Sequence, residues 1–205
     1  GAMFPTGHVS DCLEVPGVGR IEATLINAGL PTIFVEAGSL GFSGIELQPD
    51  INPFPEILAR VETIRCHGAV AMGLAATTDE AAKRAHTPKL SFVASPAAYT
   101  GSDGRMVMAA DIDLLARVFS MGSLHHAMTG TGAVAIASAV AVPGTIPQRV
   151  ARKRSDGWVC VGHPSGTLSV GAEAREENGQ WIVSKAMMSR SARRLMQGWV
   201  FVPES

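Results

Sequence analysis

The residues suited to chemistry gather in two short segments and at one isolated position. His125, His126, Ala127, Met128, Thr129, Gly130, Thr131 and Gly132 lead straight into an apolar run, 133–142, whose only polar residue is Ser138. Pro143 and Gly144 end that run. The spacing predicts a helix from about Thr131 to Val142, roughly 18 Å long at about 1.5 Å per residue. A helix that is apolar on every side must be buried. The N–H groups of its first turn lack partners inside the helix, and the aligned peptide dipoles place partial positive charge there. Thr129, Gly130, Thr131 and Gly132 are therefore either a seat for an anion or a tight packing turn. The second segment, His163-Pro164-Ser165-Gly166-Thr167, offers an imidazole, two hydroxyls and amides next to glycine. It reads as a binding turn or as an ordinary hairpin corner. Asn27, at a strand end before Ala28-Gly29-Leu30-Pro31, is either a turn former or a ligand hydrogen-bonder.

Other chemistries are set aside on their contexts. Gly130, Gly132 and Ala135 fit the GxGxxA form of a dinucleotide fingerprint. No buried parallel strand precedes them, and the following stretch, 145–157, is polar and basic where an acid-tipped strand is required. A nicotinamide-nucleotide oxidoreductase is thus a disfavoured reading, and no cofactor is expected. His125 and His126 look like a metal pair, but neighbours in a strand point to opposite faces, so no shared metal is expected. Cys66 sits on a helical pattern and reads as a packing residue. The chain has no HExxH, P-loop or Ser–His–Asp set.

Composition narrows the class. The 205 residues are 46% hydrophobic and 17% charged, which suits one large or two small globular domains. A net charge of −1 gives no bias toward nucleic acid or membrane surfaces. No apolar run approaches the roughly 18 residues of a membrane span. Cys12, Cys66 and Cys160 are odd in number and far apart, so they read as reduced thiols in a cytoplasmic protein. The first ten residues lack the basic and apolar regions of a secretory leader. They read instead like the interior of a longer protein.

The elements that must hold these segments are mostly strands. Residues 20–27, 32–36, 89–94, 111–120, 158–161, 167–173 and 181–185 alternate or are β-branched. A short extended piece is expected at 125–127 and a last one at 199–202. Asn178-Gly179 suits a mirror-image hairpin turn. Residues 55 to about 68–74 read as an outer helix started by Asn52 and Pro53, residues 79–84 as a second, and 145–157 as a loop. Many short strands, one buried helix and one or two outer helices make an α+β protein rather than an alternating βαβ one.

Six segments together resemble one family. They are GAMFPTG at 1–7, LINAGLPTIFV at 25–35, AAKRAHTPK at 81–89, SMGSLHHAM at 120–128, GHPSGT at 162–167 and MSRSAR at 188–193. Nearly the whole chain is similar to the second half of the PrpF family, which is itself similar to diaminopimelate epimerase. The resemblance implies antiparallel or mixed strands wrapped around a central buried helix, with residues 1–205 forming the second of two domains and the first absent. It implies a cofactor-independent isomerase of a small unsaturated tricarboxylate in propionate catabolism. The family's substrates include 2-methylaconitate, 4-oxalomesaconate and methylitaconate. In diaminopimelate epimerase each central helix begins with a cysteine acid or base; the matching residue is Thr129, a poor base. The resemblance therefore leaves catalytic groups to the missing half and substrate binding to this one, through Asn27, Thr129, Gly130, Thr131, Gly132, His163, Ser165, Gly166 and Thr167. A non-catalytic partner of an aconitase-like dehydratase is the alternative from another class. A homo-oligomer is left open.

Overall fold

Two hydroxyl groups and a wrapped apolar helix organise the chain. The computed structural model describes residues 1–189 and 192–203. In chain order the elements are β1 (Asp11–Val15), β2 (Gly19–Ala28), β3 (Leu30–Glu36), α1 (Gln48–Ile51), α2 (Pro55–Ala71) and α3 (Thr78–Ala82). Then come β4 (Lys89–Ala94), β5 (Tyr99–Thr100), β6 (Met106–Val107), β7 (Leu114–Ser120), β8 (Ser123–Leu124), α4 (Gly130–Val140) and α5 (Ile146–Val150). The hairpins of β9 (Trp158–His163), β10 (Gly166–Glu177) and β11 (Gln180–Met188) follow. Among the described residues, nine strands make one sheet in the order β1-β2-β3-β4-β7-β9-β10-β11, with β8 beside β7. The pairs β3–β4 and β7–β9 are parallel, so the sheet is mixed. Strands β5 and β6 form a separate ribbon.

Because successive strand residues point to opposite faces, the sheet feeds two cores. Ile26, Phe34, Val93, Leu114, Ala116, Val161 and Val170 pack on α4. Leu25, Ile33, Val35, Leu90 and Phe92 pack on the other side, with Val61 and Ile64 of α2. Helix α4 touches β2, β3, β9, β10, β11 and α5, as an all-apolar helix requires. Its buried residues are Gly132, Ala133, Ala135, Ile136, Ala137, Ser138 and Ala139, mostly small, so strand backbones approach it closely. This is the expected α+β architecture, with mixed strands around a central buried helix.

The far end of α4 is closed by Thr145. Its hydroxyl donates to the carbonyls of Ala139 at 2.6 Å and Val142 at 3.2 Å. The same oxygen accepts from Gln148 N at 3.2 Å and caps α5. Thr24 ties this corner to β2, accepting from Ile146 N at 2.9 Å.

The observed elements differ from expectation in several places, among them the strand expected at 111–120, which starts only at Leu114. Helix α4 runs from Gly130 to Val140, about two residues short of the expected end, because Ala139 and Val142 carbonyls turn to Thr145. The expected loop at 145–157 opens with α5, since Thr145 and Pro147 form a regular helix start. Residues 125–127 are not a strand; β8 stops at Leu124, and His125 Nδ1 folds back onto the Ala127 backbone. Residues 199–202 pair with no strand among the described residues, and their side chains are exposed. The short α1 joins the two expected outer helices. The 178–179 turn is mirror-image as expected, with φ of 51° at Asn178 and 75° at Gly179.

The wrapped helix generates two opposite predictions. Ile136 is fully buried, so Ile136→Ala should cost about 2–5 kcal/mol in chemical denaturation. Ser138 Oγ is buried without a hydrogen-bond partner among the described residues. Ser138→Ala should therefore leave stability unchanged or raise it by up to about 1 kcal/mol.

Candidate functional site

Thr129 is the N-cap of α4, with φ −76° and ψ 145°. Its Oγ1 accepts from Gly132 N at 3.2 Å, and its carbonyl accepts from Ala133 N at 2.9 Å. Gly132 must be glycine for this cap to form, because a Cβ there would lie 2.7 Å from Thr129 Oγ1. The cap consumes one of the first-turn donors. The N–H groups of Gly130 and Thr131 are the ones geometry leaves without an intrahelical acceptor. Thr131 is exposed and Gly130 half-buried, so both reach solvent.

The His163–Thr167 turn closes the β9–β10 hairpin beside this mouth. His163 pairs with Gly166 across the turn, and Gly166 has φ +118°, a conformation that favours glycine. Ser165 N donates to His163 Nδ1 at 3.2 Å, so the ring proton sits on Nε2. The Ser165 hydroxyl donates to the His126 carbonyl and joins this turn to the segment before α4. Burial, and then the Arg117 guanidinium, push the His163 imidazole down to about 4. At neutral pH His163 is thus an uncharged donor.

A depression of about 480 Å³ lies between these pieces. Met128, Gly130, His163, Thr167, Leu168, Ser169, Met188 and Ser189 line it. None of these residues is an acid, lysine, arginine or cysteine. The site can hold an anion with neutral N–H and O–H donors, yet its described residues offer no base strong enough to take a proton from carbon. The structure therefore brings together Gly130, His163 and Thr167, with Thr129, Thr131, Gly132, Ser165 and Gly166 in adjoining turns.

Asn27 is separate. It is exposed in a shallower depression of about 250 Å³ with Gly1, Ala2, Met3 and residues 180–183. Its link to the mouth runs through Gly29, where a Cβ would meet Val134 Cγ1 at 3.1 Å and the Thr131 carbonyl at 3.4 Å. The basic depression at the other end of α4, near Arg152, Lys153 and Arg154, has both arginines engaged. Arg152 donates to the Ala109 and Ala110 carbonyls, and Arg154 pairs with Asp156 and Asp113.

Five lining residues were not foreseen, Met128 just before the Thr129 cap among them. Leu168 and Ser169 follow Thr167 on β10, and Met188 and Ser189 end β11. Their only sequence signal is the MSRSAR segment, of which Arg190 and Ser191 lie outside the described residues. The argument that kept His125 and His126 apart also needs correction. Away from a strand, their rings stack at 4.5 Å between centroids. Among the described residues, no three His, Cys, Asp or Glu side chains gather as a metal site. No helix among them is long and apolar enough to cross a membrane.

A mixed sheet is wrapped around one capped helix with a donor-lined mouth. The same architecture occurs in a solved "Methylitaconate-delta-isomerase", with a TM-score of 0.85 at 34% identity. That match covers 97% of this chain and 51% of the other. The chain belongs to the PrpF family, whose model ("PrpF protein") matches residues 1–203. It is 59% identical, over all of its length, to 51% of a "2-methyl-aconitate isomerase" of Shewanella oneidensis. It is 35% identical to 53% of a "3-methylitaconate isomerase" of Eubacterium barkeri. The chain thus spans about half the length of the curated relatives it matches.

Two measurements follow from this geometry. Thr129→Ala should cost about 1 kcal/mol by loss of the cap, and Thr129→Ser should restore it, both read from denaturation midpoints. His163 has a folded pKa below its unfolded value near 6.5. As pH falls below about 6.5 the unfolded chain takes up a proton that the folded one refuses. Stability should fall by at most about 1.4 kcal/mol per pH unit until roughly pH 4, and His163→Gln should flatten that part of the profile.

Proposed function

We propose that this chain is the second, C-terminal domain of a two-domain, cofactor-independent isomerase of a small unsaturated tricarboxylate, with 2-methylaconitate as substrate. The observation that carries this reading is the α4 mouth, whose described residues offer neutral donors and no carboxylate, lysine or cysteine, in a chain that spans about half the length of its isomerase relatives. Identity of 59% to a 2-methyl-aconitate isomerase, against 35% to a 3-methylitaconate isomerase, favours that substrate. An oxalomesaconate isomerase at 29% is further away. The free thiols of Cys12, Cys66 and Cys160 suit a cytoplasmic enzyme.

In the proposed reaction a base on the other half removes a proton from a carbon allylic to the double bond. Negative charge spreads through the conjugated system onto a carboxylate. The Gly130 and Thr131 N–H groups, the α4 dipole and His163 Nε2–H stabilise that charge without moving. The double bond shifts or rotates, a proton returns to carbon, and no atom is gained or lost overall. Thr129 takes no proton, since its hydroxyl oxygen is spent on Gly132 N. Asn27, at the neighbouring depression, would contact substrate only when the other half is in place.

The test uses 2-methylaconitate and trans-aconitate. A protein carrying both halves should isomerise 2-methylaconitate, and the 205-residue chain alone should not. Turnover by the chain alone at the rate of the longer protein would sink the two-half reading. A tricarboxylate should raise the melting temperature of the chain, and Gly130→Asp, placing a carboxylate at the mouth, should abolish that protection. Gly132→Asp should do the same but also destabilise the chain, because its Cβ would collide with the Thr129 cap.

A further inference from the structure

The His163–Thr167 turn is braced from behind. Gly162 O accepts from Arg117 Nη1 at 3.2 Å. The carbonyls of His163 and Gly166 share the Tyr99 hydroxyl proton, at 2.7 and 2.6 Å. Pro164 O accepts from Ser102 N at 2.7 Å. Four of the five carbonyls from Gly162 to Gly166 are thus held by groups outside the hairpin. These come from the β5–β6 ribbon and from β7, on the sheet face away from α4. Gly162 leaves room for the brace: a Cβ there would lie 3.1 Å from Tyr99 Cε1 and 2.8 Å from Ile112 Cδ1.

The brace is itself fixed. Arg117 is fully buried, and its guanidinium lies 4.9 Å from the centre of the Tyr99 ring. Its Nε donates to Glu46 O at 2.6 Å and its Nη1 also to Ala116 O at 3.0 Å. Among the described residues it has no ion-pair partner, the Glu46 carboxylate acting on it only at longer range, and its Nη2 is buried without a hydrogen bond, so a largely uncompensated charge is aimed at backbone carbonyls. Burying such a charge is costly when it is not ion-paired. Its bonds to Gly162 and Glu46 carbonyls, together with Tyr99, are what that cost supports. Burial lowers the Arg117 pKa to about 10, which leaves it charged at neutral pH. Arg117 from β7 and Tyr99 from β5 are the titratable groups behind His163. From the α4, β10 and β11 sides, the described lining residues place no acid or base against it.

We infer that Tyr99 and Arg117 are positioning residues, which hold the His163–Thr167 turn from the far side of the sheet in the shape that binds substrate at the α4 mouth. The inference rests on the reading of that mouth as a tricarboxylate site. Neither side chain lines the depression, so both act through the turn. A rotation of the two-residue turn would carry His163 Nε2 away from the Gly130 and Thr131 amides.

The test is Tyr99→Phe in the protein carrying both halves, with 2-methylaconitate as substrate. KM should rise by roughly ten-fold with kcat within roughly three-fold, a loss of binding geometry rather than of chemistry. An unchanged KM in a variant that melts like the parent would overturn the inference. Histidine 15N spectra, assigned with His163→Gln, give a second readout that needs no turnover. In the unmodified protein His163 should remain neutral with its proton on Nε2 between about pH 5 and pH 8. In Tyr99→Phe the tautomer signature should broaden or shift. A His163 that gains a proton above about pH 6 in the unmodified protein, or a signature unmoved by Tyr99→Phe, would overturn the inference even if the variant were poorly active. If the spectra behave as expected but neither protein turns over or binds a tricarboxylate, the brace stands and the isomerase reading fails.

Discussion

Helix α4 has no polar face, and most of the structure follows from that constraint. A helix without a wet side can exist only where other elements surround it. The sheet answers by curling, with β2, β3, β9, β10 and β11 all reaching α4 and α5 closing one end. Small residues on the helix let the strands come close. Hydroxyl groups solve the remaining problem, which is the set of unpaired backbone groups at the two ends. Thr129 caps the start, and Thr145 takes the carbonyls of Ala139 and Val142 at the finish.

The start of that helix is the part that is not sealed. Once Thr129 has taken the Gly132 amide, the remaining first-turn donors face a depression rather than protein. Its walls are short polar side chains and a histidine held neutral by burial. A neutral, preorganised set of dipoles loses little on reorganisation when charge develops in front of it, which suits stabilising an anion rather than moving a proton. A site with donors but no base is incomplete by its chemistry, and the chain spans about half of its isomerase relatives.

Charge is handled differently on the opposite face. Arg117 lies against the Tyr99 ring with no ion-paired carboxylate among the described residues, which in a purely structural core would be replaced by an apolar side chain at little loss. Its contacts go to the backbone of the turn that flanks the mouth. The sheet therefore works as a thin wall, with the binding groups on one side and their supports on the other, one residue apart in the strand. Gly162 is the point where the wall is thinnest, and its missing side chain is the reason that the support can reach the turn.

Sequence by itself determined the elements whose signals are local. The apolar run after Gly132, the alternating strands, the Asn178-Gly179 turn and the outer helix all depend on the period of hydrophobic residues and on backbone preferences within a few positions. Thr129-x-x-Gly132 at the mouth was legible for the same reason, and so was the donor-rich turn at His163. The placement of Asn27 apart from His163 was not, because it depends on how far β2 and β9 lie from each other in the sheet. Arg117 was visible only as one charge inside the strand LLARVFS; that it reaches Gly162 is decided by the parallel pairing of β7 with β9. Tyr99 carries no local signal of this role, and its hydroxyl finds His163 and Gly166 across more than sixty residues of chain. Local sequence fixes which residues carry donors, but which of them share a wall is set by strand order, and strand order is a property of the whole sheet.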